Sequence, residues 1–75
     1  MQYTLAVFRA RNETITFATL LRSYGIKAQI VNTPRKINVS CGISVKFSTK
    51  DYDIAKQLVS RRKFDTFVGF FNTNN

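Results

Sequence analysis

Histidine and tryptophan are absent from this sequence, cysteine and proline occur once each, and only four residues are acidic. Each shortage closes a class of chemistry. Without histidine there is no Ser-His or Cys-His pair to activate a nucleophile. One cysteine and no histidine fall short of the four ligands of a structural zinc site, and one cysteine makes no intrachain disulfide. The three glycines, Gly25, Gly42 and Gly69, lie too far apart for a phosphate-cradling loop. Glu13, Asp51 and Asp53 stand where helices are expected to begin, and Asp65 where a strand is, so no carboxylate pair is set up for acid-base work. An enzyme, a metal and a cofactor are therefore not expected. No apolar run approaches a membrane span. The opening Met1–Phe8 lacks the basic lead and long apolar stretch of a secretory signal. A lone cysteine suits the reducing cytoplasm.

What is abundant is positive charge: twelve Lys and Arg give a formal charge of +8. Such a balance draws polyanions. The cations run from Arg9 to Lys63 rather than forming a tail, so a common face is a tertiary question. The 75 residues make one domain, 1–75. A chain this short buries only about 60% of its unfolded surface. With disulfide and zinc closed, oligomerisation is the reinforcement left.

Hydrophobic periodicity orders the elements. Thr4–Phe8 reads as a buried strand. Asn12 is a plausible N-cap, and Phe17, Leu20, Leu21 and Tyr24 recur at helical spacing before Gly25. Ile26–Val31 reads as a second strand, with Ala28 and Ile30 on one face, ended near Pro34. Ile43, Val45 and Phe47 alternate with Ser44 and Lys46 as a third. Ser48 and Asp51 fit a capping box for a helix that buries Ile54, Ala55, Leu58 and Val59. Phe64–Phe71 is an aromatic fourth strand, and Asn72–Asn75 reads as a frayed end. The order β-α-β-β-α-β predicts an α+β, ferredoxin-like two-layer sandwich, with a four-stranded antiparallel sheet and both helices on one face.

Cys41 is the distinctive reactive group. An unassisted thiol is only about 3% thiolate at pH 7. A cation about 4 Å away, at an effective dielectric of 20, supplies about 4 kcal/mol before screening. Arg35 or Lys36 would meet that need if the connection folds back on the sulfur, and Gly42 would let a second molecule approach closely. A second reading stands beside this one. Ile37, Val39, Cys41, Ile43, Val45 and Phe47 share one parity, so an early start to the third strand turns Cys41 into the core as a small hydrophobe.

The last strand has two faces, Thr66, Val68 and Phe70 on one and Phe67, Gly69 and Phe71 on the other. With helices on one side only, some of Phe8, Phe67 and Phe71 are expected on an open sheet face. A second copy covering that face is the favoured expectation, giving a homodimer. Base stacking on RNA is the rival, although Ile43–Phe47 lacks the glycine-and-aromatic pattern of RNA-recognition strands.

The spaced set Pro34-Arg35, Ile37, Ser40 and Cys41-Gly42 resembles the central motif of the selenium/sulfur carrier-like family of small bacterial domains. The resemblance covers nearly the whole chain. It implies a carrier whose Cys41 accepts sulfur or selenium as a persulfide or selenosulfide, from a donor protein and for an acceptor protein. Arg35, Lys36, Ser40 and Gly42 would support the thiol, and Pro34 would shape the motif. The alternative is a small basic binding module for RNA or an acidic protein.

Overall fold

The computed structural model describes residues 2–39 and 41–73. The expected element order is present. Strand β1 spans Tyr3–Phe8, helix α1 Arg11–Ser23, β2 Ala28–Asn32 and β3 Ile43–Ser48. A 3-10 turn, Thr49–Asp51, leads into α2, Tyr52–Arg62, and β4 is Phe67–Thr73. The sheet order is β2-β3-β1-β4, every neighbouring pair antiparallel, which is the ferredoxin-like α+β arrangement.

The core lies between the sheet and the helices. Ala6, Phe8, Val45, Phe47 and Ala28 from the strands meet Phe17, Ala18, Leu21, Ala55 and Leu58 from α1 and α2. In α1 the buried stripe is Thr14, Phe17, Ala18 and Leu21, one turn earlier than the apolar spacing suggested. Tyr24 is 56% exposed. The displacement has a cause: the Thr14 hydroxyl bonds back to the Ala10 carbonyl oxygen, so a polar residue enters the core satisfied. The helix begins at Arg11, so Asn12 is inside it and Ala10 is the cap. At the other end Gly25 adopts φ +78°, with Gly25 N–H donating to the Arg22 carbonyl and Ile26 N–H to that of Leu21. These two bonds are a Schellman stop.

Other expectations shift. Ser48 makes no side-chain cap, because the 3-10 turn intervenes before α2. Ile54 is 44% exposed, leaving Ala55 and Leu58 as that helix's buried contacts. Ile30, at the outer strand β2, is also exposed. Asn72 and Thr73 belong to β4, while Asn74 and Asn75 lie outside the described residues.

The largest correction concerns the phenylalanines. In the β1–β4 ladder Val7 opposes Gly69 but Phe8 opposes Phe67, so Val68 is an extra residue, a β-bulge. The bulge resets the alternation, and Phe67 and Phe70 both turn to the helices, their rings 5.0 Å apart. Phe8 is fully buried on that side, within 5.3 Å of Phe17 and 5.2 Å of Phe64 and Phe67. Of Phe8, Phe67 and Phe71, some of which were expected on the open face, only Phe71 is there.

That face is also not bare throughout. Leu5 and Val7 point away from the helices, yet they are 3% and 0% exposed. The first part of the β2–β3 connection lies over this side, with Pro34 and Ile37 beside Leu5 and Phe71. Thr33 and Ser44 join their hydroxyls, and Thr33 N–H donates to the Gly42 carbonyl.

Candidate functional site

Cys41 sits just before β3 and extends that strand's inward parity. Its side chain is 8% exposed. The thiol donates to the Ile43 carbonyl oxygen at 3.5 Å, and Sγ lies 3.8 Å from Thr14 Oγ1 in the first turns of α1. The reading in which Cys41 faces the core is therefore the observed one, at the rim of the core rather than its centre.

The motif residues divide around it. Pro34 accepts the Ile37 N–H in a tight turn that places Arg35 and Lys36 at the surface. Lys36 lines a cleft with Leu5 and Phe71, on the face of the sheet away from the helices. Cys41 packs against α1, so the sheet separates the two. Among the described residues the partners of Sγ are Thr14 and Ile43, not a cation. Neither Arg35 nor Lys36 is among these partners, and Lys36 stands on the other face of the sheet. Gly42, next to the thiol in the chain, is exposed, and a side chain there would meet no atom within 4 Å. Ser40 lies outside the described residues.

Next to Thr14 is a polar knot that sequence reasoning missed. Glu13 accepts the N–H groups of Asp65 at 3.0 Å and Thr66 at 2.8 Å, and also the Thr66 hydroxyl. Thr66 in turn takes the Ala10 N–H on Oγ1 and the Arg9 N–H on its carbonyl. The Thr66 hydroxyl, ahead of the backbone donors, holds the Glu13 carboxyl below its usual value despite some burial. The knot fastens the start of α1, and so Thr14, to the start of β4. No local signal announces it, because Glu13 and Thr66 are 53 residues apart. A helix-start acid explains Glu13 well enough until the partner is seen.

Among the described residues no group of His, Cys, Asp and Glu is placed to hold a metal, and no helix is long and apolar enough to cross a membrane. Fold and site together define a small α+β domain with one thiol at the rim of its core, beside a solvent-open glycine. The chain belongs to the family described as "Putative Se/S carrier protein-like", whose sequence model matches residues 3–66. No curated protein and no solved structure matches it.

Proposed function

We propose that the protein carries a single sulfur or selenium atom on Cys41 between a donor and an acceptor protein, without being an enzyme itself. The observation that carries this reading is the family match on a chain with one thiol, which leaves one side chain able to hold the atom. The open space at Gly42, the residue after the thiol, supports it. In the loading step the Cys41 thiolate attacks the outer sulfur of a donor persulfide. A new S–S bond forms, the donor's own S–S bond breaks, and the donor's inner sulfur leaves as thiolate. Delivery is the same exchange in reverse toward the acceptor, so no external oxidant or reductant is consumed. With selenium, the outer atom is selenium throughout. A carrier of this kind belongs in a reducing compartment such as the cytoplasm.

The 8% exposure of Cys41 sets a condition on this chemistry. Loading requires the bonds to Ile43 and Thr14 to open, with residues 33–39 giving way beside them. Residues 33–39 suit such a motion, since they carry no helix or strand of their own. Arg35 and Lys36, both exposed, then serve in docking an acidic donor rather than in tuning the resting sulfur.

The test supplies a pyridoxal-dependent desulfurase with cysteine, or the corresponding lyase with selenocysteine, and reads intact mass without reductant. Wild type is expected to gain one sulfur or one selenium, and Cys41→Ser neither. If wild type gains no more than Cys41→Ser with both donors, the reading fails.

A further inference from the structure

The positive charge has a focus. At the end of the sheet where β1 begins and β3 ends, a cleft of about 550 Å³ is lined by Lys27, Lys46 and Lys50, with Tyr3, Gln29 and Asp51. Three of its side chains are cationic and one is acidic. Lys46 and Gln29 are opposite one another on β3 and β2, and Lys46 is opposite Leu5 on β1. All three point away from the helices. The Lys46 ammonium lies 4.3 Å from the centre of the Tyr3 ring, which orients it over the sheet. On the far side of Leu5 stands Phe71, 36% exposed, with Lys36 in the neighbouring cleft. Lys46 and Phe71 are therefore two strand spacings apart, about 10 Å.

We propose that this sheet face binds single-stranded nucleic acid. Lys27, Lys46 and Lys50 take phosphates, and Phe71 offers a ring to a base. The pairing of a cationic track with an exposed aromatic is what a single strand recognises, since every base has a face to stack and every linkage a charge. An acidic peptide would use the lysines but has no need of the ring. A duplex hides the faces of its bases. The site is separate from the thiol. Cys41 is held by Ile43 at the opposite end of β3 from Lys46, about 17 Å away at strand spacing, and packs on the other face of the sheet.

The experiment titrates a labelled single-stranded oligonucleotide, in RNA and DNA forms, by fluorescence anisotropy over a range of salt. Neutralising three phosphates on a single strand predicts a slope of log K against log salt of about −2. The triple variant Lys27→Ser, Lys46→Ser, Lys50→Ser is expected to flatten that slope to near zero. Phe71→Ser is expected to weaken binding about five-fold or more with the slope unchanged. The control Arg61→Ser, Arg62→Ser removes charge from the end of α2 and should leave binding within two-fold, as should Cys41→Ser. Four results would overturn the proposal. One is no binding at low salt. Another is equal loss in the α2 control. A third is equal affinity for polyglutamate or for duplex. The last is a dimer in sedimentation that the oligonucleotide does not dissociate, which would assign the face to a second copy of the chain. Failure here leaves the mass-gain test on Cys41 untouched.

Discussion

The two ends of the sheet are built from the same strands and behave as opposites. Where β1 ends and β3 begins, the molecule is closed: Phe8 is wrapped by three other rings, Glu13 gathers Thr66 and Asp65, and the only thiol is tucked against Thr14. Where β1 begins and β3 ends, three lysines line an open cleft. The difference teaches how a thin core divides its tasks. Polar groups near the core must find partners, so the closed end carries stability. Charges that keep their water contribute little to folding, so the open end is at liberty to serve recognition.

The sharpest way to break this comparison is at Phe8. Phe8→Ala empties the centre of the ring cluster and should cost about 3–5 kcal/mol, most of what a domain this size has. Denaturant titration followed by circular dichroism would show it, and a loss under 1 kcal/mol would deny the closed end its role. Glu13→Gln comes next. It keeps one acceptor oxygen but loses the charge, and should cost about 1–2 kcal/mol at neutral pH. Because folding lowers the Glu13 carboxyl below its ordinary 4.5, its contribution is present above that pH and lost as pH falls through the folded value. The acid limb of the wild-type stability curve should therefore shrink in the variant. An unchanged limb would mean the knot contributes nothing.

Thr14→Val is smaller, about 0.5–1 kcal/mol for one hydroxyl bond. If Cys41 reacts only after local opening, labelling of the thiol by a maleimide should speed up by about two- to five-fold in this variant. A labelling rate as fast as that of an unfolded peptide in wild type would show the sulfur open already. At the other end, Lys46→Ser should change stability by no more than about 0.5 kcal/mol. A penalty matching that of Glu13→Gln would erase the contrast between the two ends.

The order of elements was legible because periodicity is a local property, and the alternation of Val45 and Phe47 with Lys46 holds in the fold. The parity running from Ile37 to Phe47 also pointed Cys41 toward the core, beside the reading that placed it in a reactive loop. Three things were not legible. Thr14 hides in the core because its hydroxyl is satisfied by a carbonyl one turn back, and a polar letter does not score as buried. The bulge at Val68 changes the side to which Phe67 points, and the one local hint, Gly69 beside it, signals a bulge without saying which residue is extra. The cover over Leu5 comes from Pro34 and Ile37, and an alternation of apolar residues does not tell which face of the sheet their connection crosses, so the face expected to be open was half closed. The remoteness of Lys36 from the thiol follows from the same fact, since neighbours in sequence end on opposite sides of the sheet.

The extra residue in β4 gives that strand something like a reading frame of two. Removing one residue from between Phe67 and Phe70 restores plain alternation and leaves both rings on the helix side, because Phe8 and Ala6, which oppose them, are themselves two apart. Removing one residue between Ala6 and Phe8 in β1 has no such slack and turns one of them outward. Single-residue deletions should thus be absorbed at 68–69 and rejected at 7, although the two sites face each other across one ladder. The bulge is the place where this sheet can change length by one without changing its sense.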